Sequence, residues 1–350
     1  MLHAPPLSAL LHRYAAGTAL ACEPVDEGLL NRGYRLRTTH GRYFLKHHFD
    51  PDTADPVSVA RQHRATERLA DLGVPVAPPL PAHDGRTVAV VGGRVYALHP
   101  WVEGRHRHGA QLTAGQCGRL GTLLGVVHSS LEQVMRTARE PERSDRTAQR
   151  APARAPRASA QPSADPADTF VLIDDLLARV RRHRPADAFD ELARHRLLER
   201  RTLLERHADR RPPQHTGPVG WVHGDFHPFN LLYRGDAPAA IVDWDRLGVQ
   251  PRAEEAVRAA AIFFVRPDGT LDLPKAKAYA RAYRRAACAG PRELAAAVHR
   301  VWWERLNDFW MLRWHYQRGD TRADPQFPAA SALAVWWTRQ YDAVRDAFTG

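Results

Sequence analysis

The chain has 350 residues, 44% of them hydrophobic, which is enough for a sizeable core and for two structural units. Fifty Lys and Arg against 39 acids give a net charge of +11, but the basic residues are nearly all arginines scattered along the chain, and no C2H2 finger, basic zipper or aromatic-basic signature argues for nucleic acid as a partner. Cys22, Cys117 and Cys288 lie far apart without zinc spacing, Met1–Leu20 lacks a signal-type apolar core, and no run of about eighteen apolar residues occurs, which excludes a zinc module, secretion and membrane spanning and fits a reduced cytoplasm.

The first predicted elements are three short strands, Val25–Leu29, Tyr34–Thr39 and Tyr43–His47, with His40-Gly41-Arg42 as the tight turn between the last two. A helix follows, capped by Asp55, opened by Pro56, carrying Glu67 in its second half and ended by Gly73 and Pro75. Gly92-Gly93 joins a second strand pair, Arg86–Val91 and Arg94–Leu98, because this dipeptide tolerates the positive φ of a hairpin turn. His99–Gly104 leaves the sheet as a linker.

Beyond the linker the periodicity is helical. Thr113 and Gln116 form a capping box, followed by Leu120, Leu123, Leu124, Val127 and Leu131 on one face. Residues 136–168 are rich in Arg, Ala, Pro and Ser with almost no large apolar side chain, a composition that predicts a disordered insertion. Helical periodicity returns at Phe170, short strands interrupt it between Gly220 and Val242, and it resumes from Ala253.

The segment with most chemistry is His223-Gly224-Asp225-Phe226-His227-Pro228-Phe229-Asn230, followed by Ile241-Val242-Asp243-Trp244-Asp245. The five-residue step from Asp225 to Asn230 lets one loop place a base beside an acceptor hydroxyl while its far end offers an amide oxygen to a metal. Asp243 at a strand end suits the Mg²⁺ that bridges nucleotide phosphates, because hard cations prefer oxygen ligands. Phosphoryl transfer asks mainly for positioning and charge neutralisation, and Lys46 on the third strand is placed to contact the phosphates, with Glu67 as its ion-pair partner. Asp245 is read either as an aid to the metal or as a turn cap. No GxxxxGK[ST] loop is present, so a P-loop is excluded.

These residues resemble the aminoglycoside phosphotransferase and choline kinase family, from about Val25 to the C-terminus. The resemblance implies an α+β, two-lobed protein-kinase-like fold: a small antiparallel sheet with one main helix over 1–99, a hinge at 100–104, and a larger, mostly helical lobe over 105–350. It implies Asp225 as catalytic base, His223 as the brace of its loop, Asn230 and Asp243 as Mg²⁺ ligands, and Lys46 with Glu67 as the nucleotide clamp. His99 and Trp101 fall where the family's hinge offers backbone groups to the purine of ATP or GTP. Gly28-Leu29-Leu30-Asn31-Arg32-Gly33-Tyr34 stands in place of a strict glycine-rich loop. The implied partners are a nucleotide and a small hydroxylated acceptor, a metabolite or an antibiotic, with a protein kinase or a silent nucleotide-binding regulator as alternatives.

Trp303, Asn307, Trp310 and Trp314 are spaced by four, three and four, so they share a helical face, either packed core or the aromatic wall of the acceptor pocket. Glu304 and Asp308 beside them form an acidic patch, and the family meets cationic acceptors on acids of its C-terminal helices.

Overall fold

The computed structural model describes residues 4–25, 32–49, 54–137, 162–213 and 217–350. Most of the expected insertion and part of the loop Gly28–Tyr34 lie outside these residues. The described residues group into two compact units, one within Met1–Arg107, Val127–Pro156 and Trp221–Gly248, the other within His108–Val126, Arg157–Gly220 and Val249–Gly350. The segment 223–230 therefore groups with the N-terminal sheet rather than with the helical remainder of 105–350.

The first unit is built on an antiparallel sheet of five strands in the order β1-β2-β3-β5-β4. β1 is Ala19–Val25, β2 Arg32–Thr38, β3 Arg42–His48, β4 Ala89–Val91 and β5 Arg94–Pro100. Of the expected first strand at 25–29, Val25 is the last residue of β1, and 26–29 lie outside the described residues. Strand alternation sends Leu45 to one face and Lys46 to the other. On the Leu45 face, a short helix α1, Leu7–Arg13, supplies Leu10 and Leu11, which pack with Leu36, Tyr96 and Leu98. Helix α2, Pro56–Asp71, begins as expected: the Asp55 carboxylate accepts from the N–H groups of Val57 and Ser58, and Pro56 occupies its first turn. Gly92 and Gly93 both have positive φ, as the hairpin requires. His99 and Pro100 are still paired in β5, opposite Phe44 and Tyr43, so the linker begins later than the sequence suggests.

Helix α3, Ala114–Thr137, opens on the expected box, Gln116 N–H to Thr113 Oγ1 at 3.2 Å and Thr113 N–H to Gln116 Oε1 at 2.8 Å. It runs two residues into the expected insertion, and α4, Pro166–Arg182, starts before the insertion's expected end. Helix α5 spans Ala188–His207. A short strand β6, Gly220–Val222, leads into the segment 223–230, and β7, Leu231–Arg234, pairs with β8, Ala237–Ile241, after it. The second unit continues with α6, Arg252–Phe264, α7, Leu273–Ala287, and α8, Pro291–Asn307. Its chain then passes through α9, Trp310–Arg313, a π-helical turn Trp314–Arg318, α10, Phe327–Arg339, and α11, Tyr341–Thr349. Trp302, Trp303 and Trp337 are fully buried in this unit. Gly121 in α3 permits backbone contact with α7, since a Cβ there would lie 2.1 Å from the Tyr279 carbonyl oxygen.

Candidate active site

The loop after β6 is held by one buried imidazole. His223 Nδ1 accepts from the Asp225 backbone N–H at 3.2 Å, and its Nε2 lies 3.0 Å from the Val242 carbonyl oxygen. With the proton on Nε2 both contacts are satisfied, and the ring ties the start of the Asp225 loop to the residue before Asp243. Trp244 packs against the same ring, with centroids 4.5 Å apart. Gly224 turns the chain between them at φ +86°, and a Cβ there would sit 2.2 Å from the Arg246 carbonyl oxygen, so only glycine fits.

Asp225 Oδ2 lies 3.6 Å from His227 Nε2 and 3.8 Å from Arg246 Nε. Burial pushes its pKa up, but the His227 ring, Arg246 and His223 outweigh burial and hold the carboxyl below its usual range, so it is ionised at neutral pH. Asn230 sits at the end of a 3-10 turn, Pro228–Asn230, and its Nδ2 donates to the Asp225 carbonyl at 2.9 Å. That bond leaves its Oδ1 without a hydrogen-bond partner among the described residues, an amide oxygen available to a cation. Asp243 adopts φ +60°, a left-handed conformation uncommon for a residue other than glycine and found most often where function over-determines the backbone.

Lys46 Nζ donates to Asp243 Oδ1 and to Asp245 Oδ1, each at 2.7 Å. Burial favours its neutral form, but the two carboxylates outweigh it and keep the ammonium charged. Asp243 is in turn held below the usual carboxylate range: burial opposes ionisation and Lys46 overcomes it. Asp243 remains 40% exposed while the Asp245 side chain is 10% exposed, so only the former presents an oxygen to incoming ligands.

The expected Lys46–Glu67 pair does not form. Helix α2 turns Gln62, His63 and Thr66 inward, and Glu67, one step further round, feels Arg64 and Asp71 rather than Lys46. Gln62 instead donates to the Asp245 carbonyl at 3.0 Å, which makes Asp245 the anchor of α2 and of Lys46 together. Sequence reading left Asp245 between two roles because its partner is 199 residues away. His99 points into a histidine cluster: its Nδ1 lies 3.0 Å from the Ala77 carbonyl oxygen, its ring 5.7 Å from His63, and His63 in turn 6.4 Å from His48. Trp101 lies under the Arg35 guanidinium, 4.7 Å from the ring centroid, and its backbone N–H donates to the Arg42 carbonyl.

The residues expected around an acceptor are arranged differently in the second unit. Glu304 is held bidentately by Arg258, with contacts of 2.9 and 2.7 Å, and Asp308 Oδ1 accepts from the Trp310 backbone N–H at 3.1 Å. They form no free acidic patch. The expected continuous helical face is broken too: α8 ends at Asn307, Trp303 is buried in the core, and Trp310 and Trp314 are half-buried on the following turns, edge to face at 5.2 Å.

The sequence profile of the Phosphotransferase enzyme family (APH) matches residues 21–295. A homoserine kinase of Methylobacillus flagellatus is 24% identical over 319 residues, covering 86% of this chain and 83% of its own. A homoserine kinase of Bartonella tribocorum is 29% identical over 127 residues, and this chain spans only 39% of its length. Among solved structures, a spectinomycin phosphotransferase with ADP and its antibiotic superposes with a TM-score of 0.61 at 12% identity, covering 99% of this chain and 98% of that one. A microcompartment-associated aminopropanol kinase gives 0.56 at 16% identity, covering 98% and 99%. These likenesses show a kinase-like α+β fold, and the match over 21–295 carries the assignment: the chain belongs to the phosphotransferase enzyme family, the group of aminoglycoside phosphotransferases and related small-molecule kinases.

Proposed function

We propose that this phosphotransferase moves the γ-phosphate of ATP or GTP to a hydroxyl of a small metabolite, with Asp225 as the base. The observation that carries the reading is the His223 bridge, which places the ionised Asp225 and the strand end bearing Asp243 and the Lys46 ion pair in one local frame. The free Asn230 Oδ1 and the exposed edge of Asp243 fit a hard divalent cation, so these two residues would hold Mg²⁺, which neutralises charge on the phosphates when bound. Lys46 exchanges one carboxylate contact for a phosphate oxygen, while Asp245 and Gln62 keep its stem in place. Asp225 accepts the acceptor's proton as the hydroxyl oxygen attacks.

Homoserine is the first acceptor to test, because homoserine kinases align along most of the chain. Amino alcohols and hydroxylated antibiotics follow, in view of the superposable kinases. The presence of the nucleotide donor in the cytoplasm and three free cysteines favour that compartment, and no helix among the described residues is long and apolar enough to cross a membrane. The test is nucleotide turnover over this panel with wild type and Asp225→Asn. We expect Mg²⁺-dependent transfer to one acceptor class, with turnover in the variant reduced on the order of 10²–10⁴-fold and nucleotide binding kept. Undiminished turnover in Asp225→Asn removes it as the base.

A further inference from the structure

The second unit holds another cluster of ionisable side chains, unconnected with the chemistry above. His183 follows α4, Asp190 lies in the first turn of α5, and His315 belongs to the π-helical turn, a rare geometry that is frequent at functional sites. One ligand-capable atom from each of the three lies within 4.8 Å of the other two. Asp190, 4% exposed, has Oδ2 2.9 Å from His183 Nδ1, and its Oδ1 accepts from the Tyr316 hydroxyl at 2.7 Å. His315 is oriented from behind: its Nδ1 lies 2.8 Å from Asp324 Oδ2, and its ring stacks on Phe189 at 4.3 Å. Its Nε2 has no hydrogen-bond partner among the described residues. The other Asp324 oxygen is buried and also without one.

We propose that His183, Asp190 and His315 form a site for a borderline-soft divalent cation of the Zn²⁺ class, with Asp324 as the brace of His315. Two imidazole nitrogens and one carboxylate oxygen are the donor set of three-ligand zinc sites, whereas Mg²⁺ and Ca²⁺ select oxygen alone. A carboxylate on the far nitrogen of a ligating histidine is the usual outer-shell partner, and Asp324 has that relation to His315. Ligand atoms around tetrahedral zinc stand roughly 3.3 Å apart, as bonds of about 2.0–2.1 Å require. The 2.9 Å His183–Asp190 contact is already near that spacing, and His315 needs a side-chain shift on the order of 1 Å. The cation takes the place of the hydrogen between His183 Nδ1 and Asp190 Oδ2, and the neutral imidazole then carries its one N–H on Nε2. Bound there, it ties the end of α4, the start of α5 and the π-helical turn together.

The test uses the full chain, stripped with EDTA and desalted, then titrated with micromolar Zn²⁺ in millimolar Mg²⁺, with metal per chain counted by atomic emission after gel filtration. One tightly held zinc per chain, indifferent to Mg²⁺ and accompanied by a higher melting temperature, is expected. Asp324→Asn should weaken binding on the order of 10–100-fold, as loss of an outer-shell partner does. His315 is packed against Phe189, so its removal risks the fold; the half-exposed His183→Gln supplies an independent loss of binding. His195→Ala, on the exposed side of α5, should bind like wild type. No zinc retained by wild type, or equal retention by His183→Gln, overturns the proposal. None of these readouts depends on the phosphotransfer reaction.

Discussion

Lys46 is a buried ammonium that satisfies two carboxylates at once, and removing it takes from Asp243 and Asp245 the cation they share. Breaking a buried ion pair from one side costs about 3–5 kcal/mol, and the 40% exposure of Asp243 sets the expected loss for Lys46→Ala near the lower end. Urea denaturation reads that loss, and the same variant should raise the nucleotide KM, lower turnover, or both. Glu67→Ala separates the structure from the sequence expectation. Since Glu67 does not touch Lys46, the nucleotide KM should stay at the wild-type value, whereas Asp245→Asn, which removes a carboxylate charge beside Lys46 and the Gln62 anchor, should raise it. A Glu67→Ala enzyme as impaired as Lys46→Ala would restore the Lys46–Glu67 clamp.

The first-unit sheet packs against α2 through a histidine cluster, and its chemistry makes the element pH-sensitive. Burial, which penalises the charged ring, lowers His48 to about 2, His63 to about 3 and His99 to about 4, with neighbouring cations adding to the effect. Each folded value lies below the unfolded one near 6.5, so between these limits the unfolded chain binds more protons and stability falls as pH falls. Each ring contributes up to about 1.4 kcal/mol per pH unit in that window, so the urea midpoint should drop clearly between pH 7 and pH 5. A flat midpoint would mean that the rings are protonated or open to water. The 223–230 segment and α2 were legible in the sequence because caps, prolines and a fixed motif are local signals. β1 was not, because Ala19–Val25 carries Ala, Cys, Glu and Pro24, weak strand formers that an edge position tolerates. The His48–His63–His99 cluster and the Asp245 contact escaped for a different reason: they join residues from separate elements, and no spacing in the chain records them.

At the scale of the molecule, the division into two units differs from the one drawn at a hinge after residue 99, because Trp221–Gly248 groups with the N-terminal sheet. Tertiary hydrogen bonds cause this: Ile241 N–H donates to the Pro75 carbonyl at 2.8 Å, the Arg105 and Tyr233 backbones pair at 3.0 and 2.9 Å, and Gln62 holds Asp245. All residues assigned to nucleotide and metal thus belong to one unit, and this has a measurable consequence. A ligand that binds only the folded state stabilises it by about 2.7 kcal/mol at a hundred times its Kd, so Mg²⁺ with a non-hydrolysable nucleotide should raise the melting temperature. The protection gained in amide hydrogen exchange should concentrate in β3, in 223–230 and in 242–246, where the ligand contacts replace internal ones. Asp225→Asn should show the same pattern, since a proposed base is not needed to bind nucleotide, and Asp243→Ala should lose the part that depends on Mg²⁺. Protection confined to α6–α8 would move the nucleotide out of the first unit, and with it the roles of Lys46, Asn230 and Asp243.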